Sequence, residues 1–143
     1  MQLVYKLLII SIVAGSILAG ILKLVQVTLN NDAYILFFNM DYIPLLKHVD
    51  HIAGSGYLFH YIFCIVSVFV LFYLSKVFHI EAIILVYVIV YSIGSGVLYF
   101  LTGLTDKPPS VTSVESWVYW VAAHALFGIV VGIMIKYWVS GKK

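Results

Sequence analysis

The chain has no arginine, a single cysteine, three prolines and very little charge of either sign. One cysteine, Cys64, rules out an internal disulfide, a CxxC site and a thiolate cluster. Its neighbours, HYIFCIVSVF, are apolar, a setting in which a thiol behaves as a small hydrophobe. The formal charge of +2 is too small to recruit nucleic acid, and no basic run with interleaved aromatics occurs. Catalytic signatures are missing as well: there is no GxSxG, HExxH, P-loop or dinucleotide fingerprint, and no carboxylate pair at membrane depth. An enzyme is therefore not expected. All eight basic residues are lysine, for which the sequence offers no physical reason.

Apolar residues are what it has in excess. They make up 64% of the chain and charged residues 10%, against about 45–50% and about 25% in a soluble domain. Four stretches are long enough to cross a bilayer, which takes about 20 apolar residues per helix. They run from about Leu3 to Thr28, Ala53 to Ser75, Glu81 to Leu104 and Ser116 to Val139. The expectation is an all-α polytopic protein of one integral membrane domain (1–143), an antiparallel bundle of four transmembrane helices with lipid as its solvent. Lys6 followed by LLIISIVAGSILAG imitates a signal peptide, but the apolar run continues into ILKLVQV and no lipobox cysteine follows. The first stretch is read as an uncleaved span.

The connections differ in kind. Residues 30–52 open on Asn30-Asn31 and carry Pro44. Tyr34, Phe37, Phe38 and Tyr42 there fit either a segment lying in the membrane interface or a loop packed over the bundle. The link around Lys76–Ile80 is short enough to force an antiparallel hairpin. In GLTDKPPSVTSVES, Gly103 and Pro108-Pro109 end one helix, and Thr112 with Glu115 offers a capping box for the next. Lysine bias decides orientation. With both termini cytoplasmic that side carries Lys6, Lys76, Lys136, Lys142 and Lys143, and the other carries Lys23, Lys47 and Lys107. The bacterial cytoplasmic (inner) membrane is the expected location.

Lipid tails are as apolar as leucine, so such helices associate through small residues and polar contacts. Expected packing positions are Gly15 and Gly20 in the first span, Gly54 and Gly56 at the start of the second, Gly94 and Gly96 in the third, and the Gly128/Gly132 pair in the fourth. The second span has no small-residue stripe beyond its start. Such faces suit a homo-oligomer or a membrane-protein partner as well as internal contacts.

Two histidines, His60 and His124, lie well inside spans, where ionisable residues normally face the protein interior. At about 1.5 Å per residue both fall about 10–12 Å below the outer boundary. Gly94-Ser95-Gly96 and Gly20 fall at the same level. His60, Cys64 and Ser67 share one helical face, and Trp120, His124, Gly128 and Gly132 another. The expected site is thus a polar intramembrane layer of His60, His124 and Ser95, without resident metal or cofactor. The pair admits three uses: interhelical packing, a response to or relay of protons, and ligation of haem or another metal. His48 and His51 flanking Asp50 form a further, short metal-type motif at the outer surface.

From His51 onward the chain resembles the YagU-type family of small bacterial inner-membrane proteins. HYIFCIVSVFVLFYLSKVFHI, LTGLTDKPP and VESWVYWVAAHALFGIVVG carry the likeness over roughly residues 51–138. Its most specific pieces are His60, Gly103-Leu104-Thr105 with Pro108, and His124. The N-terminal third departs, with an aromatic loop where that family has a proline- and arginine-containing segment. The resemblance implies a dimeric inner-membrane protein linked to stress tolerance with no agreed biochemical activity, and it supplies no catalytic residue.

Overall fold

A computed structural model describes residues 2–41, 43, 46, 52 and 54–141. Among these the chain is helical, without strands. Tyr42, Pro44, Lys47, the His48–Asp50–His51 motif, Ala53, Lys142 and Lys143 lie outside the described residues. Helix α1 spans Gln2–Leu29, α2 Ser55–Val77, α3 Ile84–Leu98 and α4 Val114–Met134. A 3₁₀ turn, Tyr99–Leu104, extends α3, and a π-helical turn, Ile135–Val139, extends α4. With these extensions four helices are long and apolar enough to cross a membrane, at 28, 23, 21 and 26 residues.

Local chemistry sets the ends. Asn30 closes α1 in the left-handed region (φ 52°), which asparagine tolerates better than other side-chain-bearing residues. The Asn31 side chain then accepts from the Ala33 N–H at 3.0 Å and starts a 3₁₀ segment, Asp32–Phe37. His79, at φ 58°, turns the chain after α2. The cap of α4 is Ser113, whose Oγ accepts from the Ser116 N–H at 3.3 Å and donates to the Ser116 hydroxyl at 2.9 Å. This replaces the expected Thr112–Glu115 capping box: Thr112 bonds to Ser110 instead.

Helix α4 packs on both α1 and α3, and α1 also packs on α2. The small residues explain the closest contacts. A Cβ on Gly128 would stand 2.8 Å from the Tyr87 carbonyl oxygen and the Val88 Cα, and one on Gly132 would stand 3.0 Å from the Ile84 Cα. Trp117 and Trp120 fasten the same pair of helices by donating to the Gly96 and Ser95 carbonyls at 3.1 and 3.0 Å. At the far end of α4 the Trp138 carbonyl, among the last of its helix and so lacking an intrahelical donor, accepts from Lys6 Nζ at 2.7 Å.

Helices α2 and α3, joined by the shortest link, do not pack closely. Closeness in a membrane needs small residues, and the facing side of α2 offers Phe59, Phe63, Cys64 and Ser67. The hairpin expected from that short link therefore encloses space instead of a packed interface.

Three of the expected packing glycines do other things. Gly20 is on the exposed side of α1 with nothing near a prospective Cβ. Gly54, exposed at φ 87°, makes the turn into α2 and packs on no helix. Gly94 faces open space. Gly15, Gly56, Gly128 and Gly132 do sit in tight contacts, and Gly96 lies in ordinary contact with Trp117 and Val121.

A histidine-lined cavity between α2 and α3

The space between α2 and α3 is a cavity of about 500 Å³, walled also by α1, α4 and the 3₁₀ segment. His60, Cys64 and Ser67 reach it from α2, Tyr91, Gly94 and Ser95 from α3, and Trp120, His124 and Phe127 from α4. The structure thus brings His60, His124 and Ser95 to one cavity. Gly20, placed at the same depth by counting residues, points away from it, because its position on α1 falls on the opposite face from Gly15 and Leu18. Leu18 is what α1 contributes.

The two imidazoles are bonded differently. A carbonyl only accepts, so His60 Nε2 is the protonated nitrogen that donates to the Gly15 carbonyl at 3.1 Å. The same ring lies 3.8 Å from Cys64 Sγ, one turn on. Gly15 permits this approach: a Cβ there would stand 3.1 Å from Sγ and 3.5 Å from the imidazole. His60 is 5% exposed and acts as an interhelical peg. His124 instead turns Nδ1 to its own helix and donates to the Trp120 carbonyl at 2.7 Å. Its Nε2 therefore carries the lone pair, and among the described residues it has no hydrogen-bond partner.

A second polar group is unspent. The Tyr91 hydroxyl is buried and makes no hydrogen bond of good geometry. Ser67 is beside it but donates to the Cys64 carbonyl at 3.0 Å. Ser95, expected as the third polar member, returns its hydroxyl to the Ser92 carbonyl at 3.1 Å. Its contribution is its own carbonyl, which orients Trp120.

Phe37 was the least expected participant. The sequence fits its segment either to the membrane interface or to a loop packed over the bundle, and the structure packs it against α1, α2 and α4. The Phe37 ring lies 4.3 Å from His60, 5.2 Å from Trp120 and 6.3 Å from His124, centroid to centroid. Phe38 follows it and fills the notch left by Gly56, where a Cβ would come within 2.7 Å of its ring. The alternation of asparagine caps with a short aromatic run was the available signal. Above, Tyr34 bonds to Tyr57 at 3.2 Å, and burial together with that bond pushes its phenol up to about 12. Asn39 reaches Thr105 at 3.1 Å and Asp41 pairs with Lys107 at 3.1 Å, tying this loop to the α3–α4 connection.

The cavity is mostly apolar, and among the described residues its lining holds no carboxylate or lysine. Its rim runs through Phe63 on α2 and Val90 and Leu98 on α3, which are 51%, 45% and 41% exposed. On a membrane-spanning helix that exposure faces lipid. Among the described residues no group of three or more His, Cys, Asp or Glu side chains is placed to hold a metal ion. Comparison with family models, with curated proteins and with solved structures returns no match.

Proposed function

We propose that this chain is a non-enzymatic multi-pass protein of the bacterial cytoplasmic membrane, YagU-like, that binds a small lipophilic molecule taken from the lipid. On this reading it is an antiparallel four-helix bundle with both termini cytoplasmic. The observation that carries the proposal is the cavity between α2 and α3, apolar-walled, roofed by Phe37 and rimmed by lipid-facing residues. Pockets for small ligands have this size and this mixture of apolar wall with a few polar groups.

A pH response belongs to the same site. Among the described residues, the titratable groups that line the cavity with His124 are His60 and Cys64 on α2 and Tyr91 on α3, while α1 and the 3₁₀ segment contribute only Leu18, Leu36 and Phe37. A proton on His124 Nε2 occupies the atom that would accept from a ligand, so protonation and that contact exclude each other. Haem ligation is less well supported, since Gly15 holds His60 Nε2 and Cys64 Sγ lies 3.8 Å from both ring nitrogens. An accessory role in a homo-oligomer or with a membrane-protein partner is disfavoured as the use of Gly128 and Gly132, which are filled by α3.

The test is naphthalene binding to the protein in phosphatidylcholine nanodiscs, referenced to protein-free discs. Saturable binding should vanish in Gly94→Leu, whose side chain projects into open space, and persist in Gly20→Leu on the opposite face. Equal uptake by all three proteins would remove the proposal.

A further inference from the structure

We infer that the cavity selects a lipophilic molecule that donates one hydrogen bond, an N–H or O–H on an apolar body, and that His124 Nε2 receives it. This rests on the binding reading above and adds the chemistry of the occupant.

The acceptor is fixed by its own helix. His124 Nδ1 lies 2.7 Å from the Trp120 carbonyl, which only accepts, so the proton stays on Nδ1 and the lone pair on Nε2. That Nε2 has no hydrogen-bond partner, and neighbouring atoms do not close over it. His124 itself lines the cavity. An acceptor left unpaired in a mostly apolar chamber is costly, and a molecule that brings a donor relieves the cost without breaking a bond of the protein.

The other polar groups of the lining are engaged. His60 gives its proton to the Gly15 carbonyl, and its Nδ1 has the Cys64 thiol at 3.8 Å. Trp120 donates to the Ser95 carbonyl, Ser67 to the Cys64 carbonyl and Ser95 to the Ser92 carbonyl. The Tyr91 hydroxyl is unpartnered but sealed, so an occupant does not reach it. Among the described residues the lining thus offers lone pairs and no free N–H or O–H. A ketone or an ester, which only accepts, finds no such donor there.

Aromatic rings flank the acceptor. Trp120 stands 4.4 Å and Phe37 6.3 Å from the His124 ring, centroid to centroid, and both line the cavity. A planar ring that carries the donor on its edge meets ring surface as it reaches Nε2.

The experiment compares two isomers in the same nanodiscs: skatole, which keeps its indole N–H, and N-methylindole, which has none. Each is referenced to its own partition into protein-free discs. One net hydrogen bond of about 1 kcal/mol corresponds to about a fivefold preference for skatole. His124→Phe should abolish that preference and leave the affinity for N-methylindole little changed. Should that variant fail to fold, imidazole-nitrogen NMR of the unmodified protein decides: skatole should shift one unprotonated histidine nitrogen, and N-methylindole should not. Equal affinity for the isomers, with Gly94→Leu still blocking naphthalene, would overturn the donor assignment and leave the cavity reading intact. A preference that survives His124→Phe undiminished, or a nitrogen signal that skatole does not move, would overturn it as well. Absence of saturable binding of naphthalene and of both isomers in the unmodified protein would overturn both readings together.

Discussion

His60 donates through Nε2 to the Gly15 carbonyl on the neighbouring helix at 3.1 Å, and glycine at position 15 is what lets the ring approach. His124, the other imidazole of the cavity, spends its proton within its own helix. The two should therefore separate on mutation. His60→Ala should lower stability by about 1 kcal/mol or more, the scale of a side-chain hydrogen bond between membrane helices. His124→Ala should cost less stability and more binding. Unfolding in mixed micelles measures this, and equal losses would contradict the division of roles.

Glycines of similar appearance should respond with opposite signs. Gly128→Ala drives a methyl into the Tyr87 backbone at 2.8 Å, and we expect a loss of about 1–3 kcal/mol from overpacking. Gly94→Ala meets nothing within 4 Å and removes a flexible residue from a helix interior, which is worth about 0.5–1 kcal/mol in favour of folding. Thermal unfolding of the two variants side by side tests the contrast.

Removing the roof should expose what it covers. Phe37→Ala deletes a ring that touches His60, Trp120 and His124, at a cost of about 3 kcal/mol. The only thiol, Cys64, is 3% exposed and lines the same cavity. Labelling of Cys64 by a water-soluble maleimide should accelerate at least about tenfold, as each 1.4 kcal/mol is a factor of ten in an opening equilibrium. An unchanged rate would show that Phe37 does not guard the cavity.

The Tyr34 phenol gives a pH dependence with a definite sign. Its value is raised to about 12 by burial and by the bond to Tyr57, against about 10 in an unfolded chain. Between those values the folded state keeps a proton that the unfolded state releases, so stability is full below about pH 10 and falls as the pH rises toward 12. Tyr34→Phe should flatten that part of the stability curve. A loss that is the same in wild type and variant would assign it elsewhere.

Much of this was legible in the residues. The four spans follow from apolar length alone, and the common depth of His60, His124 and Ser95 follows from counting residues along each span. Rotation about each helix was not legible. Gly20 shares the depth of the layer and misses it, because five residues of α-helix turn Gly20 well away from the face that carries Gly15. Phe37 was missed for a different reason: a six-residue aromatic run is equally compatible with a lipid interface and a protein interior. Only the packing notch at Gly56, with the asparagine that caps the run, selects between them. The gap between α2 and α3 depends on what α2 lacks, a row of small residues, and an absence of that kind points to no particular shape.

Helix α4 holds both α1 and α3, and Lys6 at the start of the chain is bonded to Trp138 near its end. During synthesis this imposes an order of events. When the first three spans have entered the membrane, α3 still lacks the helix that it packs against most extensively, and its Ser95 and Gly96 carbonyls lack their tryptophan donors. The cavity has no fourth wall until α4 arrives. A ribosome stalled before residue 114 should thus leave an intermediate that is inserted but unassembled and open to the quality-control proteases of the membrane, and the final helix closes it from first residue to last.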